Sequence, residues 1–460
     1  MALGSCKQET GESTILIPRF LQFRNTVSKG IEGMRHMRFG IILLLSAWSL
    51  CPAQQQLTLQ RCVELAKAFS LKSRASEMTI RASGLAHDEL MKTRLPQLKV
   101  SSDLSYAPAS GTFGYDPAIT DGGQVGGRVS VEQSLYDGGV RNLKSGQLSV
   151  EHSALTKERE LGERDLKLTV KQFFIGGLQS QRAIELQQES AHQLKEYLDL
   201  VERLSKGGAA SYTDVLKTQM QLQSAERSIQ KAHELLASAK YVLAELMGVS
   251  IDTSFTLAGS LGALLPNRRA DGTALDIEQN LDIALAALNV NKSTFETELV
   301  KSERLPVISA VADAGLLTSF DNLRLSTPER SGVYGYMVGI TLEVPLFTWG
   351  ATDLRIQQRE LATQALTLQL EGVRRSVATE YQKTVFQMSK SDERLRSIRT
   401  SLKAAEQNFA LTKAKYAAGG VLSLEVLSAQ QLLTDLKLEE LETIAEAELL
   451  SAKLEQITSR

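Results

Sequence analysis

The sequence predicts a mainly α-helical chain that carries a transmembrane β-barrel portion and is built as one helix-strand-strand-helix-helix unit written twice. Three observations lead there. The turn Lys206-Gly-Gly-Ala-Ala-Ser211 returns about 211 residues later as Ala417-Ala-Gly-Gly-Val-Leu-Ser423, and each copy continues with an acid, Val-Leu and a glutamine. Short segments alternate apolar and polar residues as strands do, and long segments repeat apolar residues every seven positions as coiled coils do.

The chain begins with a segment to be set aside. Arg35 and Arg38 precede an apolar run from Phe39 to Leu50, and Cys51-Pro-Ala53 closes it with small residues at −3 and −1. This reads as a secretory signal cleaved after Ala53, too short to span a membrane as a mature helix. A lipoprotein signal at Cys51 is the rival, and Leu50 argues against it, because a small residue is wanted there. Residues 1–53 are thus an N-terminal extension and signal peptide, 54–258 the first repeat, 259–272 a Gly/Pro/Asn linker and 273–460 the second repeat.

Composition excludes several classes of function. The 460 residues hold 52 basic and 53 acidic side chains, so no basic face argues for nucleic acid. Cys6 and Cys51 precede the expected cut, which leaves Cys62 as the mature cysteine, on the apolar face of the first helix with Leu65, Ala66 and Phe69. It reads as a small buried hydrophobe. His87, His152, His192 and His233 lie singly on polar helical stretches, none with a second histidine or cysteine at i+3 or i+4, so no metal site is expected. No catalytic Ser-His-Asp set, phosphate loop or dinucleotide glycines are present, so neither an enzyme nor a cofactor is expected.

Strands are expected at about 97–107, 124–136, 306–317 and 334–347. In the first copy Val100, Leu104 and Tyr106 alternate with polar residues, and so do Val125, Val129, Val131 and Leu135. In the second, Tyr334, Tyr336, Val338, Ile340, Leu342, Val344 and Leu346 occupy every second position. Aromatic residues stand near both ends (Tyr106 and Tyr334; Tyr136, Phe347 and Trp349), the length and girdle of an outer-membrane barrel, with a soluble sandwich as the alternative reading. Four strands cannot close one, and an open edge in lipid leaves backbone groups unsatisfied. Several chains must therefore pool their strands; two would give eight and three would give twelve.

The helices carry a strong seven-residue repeat. Val215, Leu222, Ile229, Leu236 and Leu243 form one series, and Ala225, Ala232, Ala239 and Leu246 a second three positions later. Val426, Leu433, Ala447 and Leu454 with Ala429, Leu436, Leu450 and Ile457 repeat the register, interrupted at Glu440 and Thr443. The preceding helix, with Ala154, Leu161, Leu168, Ile175, Leu194 and Val201 along its seam, should run from about Arg141 to Ser205, on the order of 95 Å.

These features together resemble the TolC family of outer-membrane efflux proteins. The resemblance rests on the duplicated order, Leu95-Pro96 and Leu305-Pro306 ending the first helix of each copy, Leu346-Phe347 before Gly350, and the turns paired at Gly208 and Gly420. It implies a homotrimer with a 12-stranded barrel in the outer membrane of a Gram-negative bacterium and a coiled-coil α-barrel in the periplasm. It further implies a passive exit duct of a tripartite efflux or type I secretion system, partnered by outer-membrane lipid, a periplasmic adaptor protein and an inner-membrane pump. The tips at Gly207, Gly208, Ala209, Ala210 and Ser211 and at Gly419, Gly420, Val421, Leu422 and Ser423 are where the adaptor would dock. Glu425, with Asp214 as its counterpart, would form the periplasmic gate, and Ser428 stands where a second acid is often found. One residue fewer separates Ser423 from Glu425 than Ser211 from Asp214, which predicts a turn shortened by a residue. Ser211 and Asp214 also fit a plain helix cap, and Glu425 could merely satisfy its helix terminus. A trimeric coiled-coil adhesin or structural envelope protein without a conduit is the alternative function; it wants a long exposed passenger region.

Overall fold

The computed structural model describes residues 56–107, 122–248, 255–262, 277–320 and 333–458. The expected signal segment and most of the expected linker lie outside them. In chain order the elements are β1 (Gln56–Leu57), α1 (Leu59–Phe69), α2 (Leu71–Lys92), β2 (Gln97–Ala107), β3 (Gly122–Tyr136), α3 (Val140–Lys206), α4 (Tyr212–Met247) and β4 (Thr256–Leu257). A 3-10 turn (Ile277–Gln279) then precedes α5 (Leu281–Ser302), β5 (Val307–Phe320), β6 (Val333–Glu343), α6 (Ala351–Ala417) and α7 (Ser423–Thr458).

The duplication is metrical. Helices α3 and α6 each have 67 residues, and α4 and α7 each have 36. At 1.5 Å per residue the longer pair extend about 100 Å, far beyond the needs of an ordinary domain core. Each long helix starts at a left-handed glycine, Gly139 (φ 80) or Gly350 (φ 77), which turns the chain out of a strand. The residue before it also has positive φ. In the first copy this is Gly138, where a β-carbon would lie 2.9 Å from that of Leu305. In the second it is Trp349, at φ 53, with its ring exposed and edge-on to Phe347 at 4.5 Å. A non-glycine residue there costs on the order of 1 kcal/mol, so the exposed ring is held at the expense of local backbone strain.

Strands β2, β3, β5 and β6 form one antiparallel sheet in that order. Register places Leu98, Val100 and Leu104 opposite Val131, Val129 and Val125, and Ala312, Ala314 and Leu316 opposite Val338, Tyr336 and Tyr334. One face is therefore largely apolar, interrupted by Ser102, Gln133 and Thr318, and its large side chains stand exposed in the single chain. Strand β6 stops at Glu343, short of the expected end near 347. Pro345 has no N–H to give a ladder, so Val344 to Thr348 continue without pairing and carry Phe347 beyond the sheet.

Helix packing follows the same lateral order. Beside the sheet the sequence of neighbours is α2, α3, α5, α6; further along it is α4, α3, α7, α6. The seam residues Ala225, Ala232 and Ala239 are buried, as are Val426, Leu433, Ala447 and Leu450. At the expected interruption, Thr443 is buried with its hydroxyl bonded to the Glu439 carbonyl, and Glu440 reaches out to Arg399 at 2.8 Å. Leu57, Cys62, Val170, Phe174, Leu243, Met247 and Leu257 gather α1, α3, α4 and the small β1–β4 pair into a core. Burial alone pushes the Cys62 thiol up to about 11, so it packs as a neutral hydrophobe.

Candidate functional site

The two helical hairpins end side by side, and their turns are built by backbone chemistry. After α3, the N–H of Ala209 donates to the Leu204 carbonyl at 2.8 Å, with Gly208 left-handed at φ 75. After α6, the N–H of Gly420 donates to the Lys415 carbonyl at 2.9 Å, with Gly419 left-handed at φ 77. Both are helix-ending turns in which a left-handed residue frees two amides to reach back to orphan carbonyls. The structural partner of Gly208 is therefore Gly419, not Gly420.

The expected one-residue shortening does not exist. Asp214 N–H donates to the Ser211 carbonyl at 2.9 Å, and Glu425 N–H donates to the Leu422 carbonyl at 3.0 Å, so the acids are true counterparts. What moved is the serine. Ser211 caps α4 by accepting from the Thr213 N–H at 3.2 Å, whereas Leu422 stands at the equivalent place. Ser423 is the first residue of α7 and turns inward.

That inward turn removes Ser423 from the expected docking tip: it is 2% exposed, and the Tyr197 hydroxyl donates to its Oγ at 3.0 Å. Ala210 and Val421 are half-buried against the same interior. The surface of the tips is left to Gly207, Gly208, Ala209, Ser211, Gly419, Gly420 and Leu422, the last 71% exposed. Glu425 is exposed and Asp214 half-buried. Leu422 thus presents a large apolar side chain outward, as do the neighbouring Tyr212 and Leu424, an arrangement that suits contact with a partner.

Beneath the tips lies a cluster that the turn motifs did not announce. Tyr197, Val201, Val215, Tyr416, Val426 and Leu427 pack together, drawn from α3, α4, α6 and α7. The Tyr197 and Tyr416 rings meet at 5.3 Å with a 60° tilt. Desolvation raises both phenol pKa values, with the Asp214 carboxylate adding to it, so both stay protonated; the Tyr416 hydroxyl is buried with no hydrogen-bond partner among the described residues. One layer deeper, Gln430 donates to Ser190 at 2.7 Å and to Thr434 at 3.1 Å, all three buried. The signal for Tyr197 was its place between Leu194 and Val201 on the α3 seam, where a phenol must find a partner.

A sheet with one largely apolar face, joined without a break to paired hairpins about 100 Å long, defines a membrane β-barrel protein that projects a helical assembly out of its bilayer. The chain belongs to the outer membrane efflux protein family, whose model matches residues 64–249 and 275–458. It is a protein of the outer membrane. The alkaline protease secretion protein AprF of Pseudomonas aeruginosa is 25% identical over 314 residues, 66% of this chain and 63% of that one. The proteases secretion protein PrtF of Dickeya chrysanthemi is 23% identical over 274 residues, 58% of each. The match thus spans less than two thirds of the length of either relative. Among solved structures, CusC aligns with TM-score 0.75 at 16% identity, over 87% of this chain and 91% of the other. VceC of Vibrio cholerae aligns with TM-score 0.71 at 16% identity, over 87% and 95%.

Proposed function

We propose that this chain is the passive outer-membrane exit duct of an efflux or type I secretion system, working as a closed homotrimer. One observation carries the reading: the sheet and the helical layer are both open at their two lateral margins, and the open margins match. Among the described residues, strands β2 and β6 each pair on one side only. Below them, α2 and α6 end the layer, and each carries an exposed stripe at seven-residue spacing: Leu71, Met78 and Leu85 on α2, Leu354, Leu361 and Leu368 on α6. An unpaired strand edge in lipid leaves its amides and carbonyls unsatisfied, so β6 of one copy must meet β2 of the next, and α6 then meets α2. Such head-to-tail contacts close into a ring. Three copies give twelve strands and a water-filled interior, whereas two give eight, which side chains fill.

The outward Leu422 and the small residues around Gly208 and Gly419 would receive the helical hairpins of a periplasmic adaptor, which couples the duct to an inner-membrane pump. Three copies of Glu425 would narrow the periplasmic entrance. Two relatives carry protease secretion in their names, which favours a protein cargo over a small molecule. Reconstitution tests the duct: the mature chain in planar bilayers should conduct ions in discrete steps, and a folded protein without conductance would end the proposal.

A further inference from the structure

The polar face of the sheet holds charges that the helical tips do not explain. Alternation places Lys99, Ser101 and Asp103 of β2, Arg128, Ser130 and Glu132 of β3, Asp313 and Gly315 of β5, and Gly335 and Met337 of β6 opposite the apolar face. If the apolar face meets lipid, this one meets the lumen. Lys99 and Glu132 satisfy each other at 3.5 Å, whereas Asp103, Arg128 and Asp313 form no ion pair among the described residues.

Their placement is specific. Arg128 stands directly across from Ser101 on one side and Gly315 on the other, and Gly315 in turn faces Gly335. Nothing larger than a serine stands beside the guanidinium in that row, so it has a clear floor on which to extend. Asp103 pairs with Gly126, and Asp313 with Ser130, which puts one acidic residue diagonally to each side of Arg128, backbone to backbone about 7–8 Å apart. The Asp103 carboxylate lies over Gly126, where a β-carbon would approach its Oδ1 to 2.7 Å. An ionised side chain at membrane depth must face water, and unpaired charges there mark a permeation path.

We propose that Arg128, flanked by Asp103 and Asp313, forms a charge-selective belt inside the barrel that sorts permeating ions and charged cargo independently of any gate at the helical tips. The inference rests on the proposed conduit. Each copy contributes one guanidinium and two carboxylates, so the belt carries net negative charge and favours cations, with arginine moderating that preference. Rings of fixed side-chain charge act on permeating ions in this way.

Reversal potentials across a KCl gradient test it, on the full mature chain in planar bilayers. Arg128→Ala should raise the ratio of potassium to chloride permeability at least about twofold, and Asp103→Asn with Asp313→Asn should lower it by a similar factor. Arg128→Lys should restore the original value. Block by multivalent cations from the periplasmic side should stay unchanged throughout, because that block reads the tips. Arg128→Gln keeps the chain length and carries the same expectation where the alanine variant does not assemble. Unaltered reversal potentials in conducting variants would overturn the belt and leave the duct standing, whereas an unaltered protein that never conducts would overturn both.

Discussion

The contact between Tyr197 and Ser423 ties the second hairpin to the first, and a double-mutant cycle measures it. Both groups are 2% exposed, so neither can exchange its partner for bulk water. Tyr197→Phe keeps the ring against Tyr416 and removes only the hydroxyl donor, which leaves the Ser423 Oγ buried without it. Desolvation without compensation costs about 1–3 kcal/mol. Ser423→Ala leaves the Tyr197 hydroxyl in the same position, at a similar cost. Combining the two removes both partners together, so the double variant should lose about 1 kcal/mol less than the sum of the singles. Hydrogen exchange of the tip amides, from about Leu200 to Val215 and from Tyr416 to Leu427, is the appropriate assay because it reports local opening. Each single variant should exchange there at least about fivefold faster, while amides in the core around Phe174 and Met247 stay as slow as before. Strict additivity, or single variants indistinguishable from the parent, would show that the hydroxyl pair does not hold the hairpins together.

Further outcomes follow from the same geometry. Leu422→Asp should abolish export in cells while leaving assembly and conductance intact, since a carboxylate cannot be desolvated against an apolar partner cheaply; normal export would remove this tip from docking. Glu425→Ala should weaken block by multivalent cations added on the periplasmic side of single channels, whereas parental block would leave Glu425 as a helix cap, worth about 0.3–1 kcal/mol. Burial works against the Glu455 carboxylate, but bonds from Lys167 and Lys171 overcome it and hold its pKa below the ordinary value. A depressed folded-state pKa stabilises above the unfolded value, about 4.3, and that stability is lost as pH falls through the folded one. Glu455→Gln should therefore melt earlier than the parent at pH 7, within the ~0.2–1 kcal/mol of partly exposed pairs, and the gap should close as pH falls below the ordinary carboxylate range and through the depressed folded-state pKa. A gap that persists in acid would mean that the carboxylate acts through packing instead of charge.

Periodicity announced the long elements because burial on one side imposes it. The seam at Ala225, Ala232 and Ala239 and the alternation from Tyr334 to Leu342 each reflect a single buried or lipid-facing side, so spacing alone revealed them. The turns were harder to read. A serine marks the helix start in the first copy, but in the second the left-handed Gly419 and its backbone bonds set the turn, and Ser423 is free to sit one place later and face inward. Aligning serines implies a shortening that the backbone does not have; aligning left-handed glycines does not. The end of β6 is hidden for a related reason: alternation persists through Leu346, yet pairing needs an N–H that Pro345 lacks. Tyr197 and Tyr416 lie 219 positions apart in sequence and meet only because the two hairpins pack laterally, a relation that no local pattern encodes.

If copies of this chain close on one another through their open margins, cross-linking across that seam should trap the closed ring. Met78 and Leu361 stand exposed in the middle of the α2 and α6 stripes. With Cys62→Ser removing the buried thiol, a chain carrying Met78→Cys and Leu361→Cys should be captured in native membranes by a short bis-maleimide. The expected product is a covalent ladder of monomer, dimer and trimer that ends at the trimer, with either single-cysteine variant staying monomeric. A monomer that resists the double-cysteine reaction, or a ladder that climbs past the trimer, would contradict it.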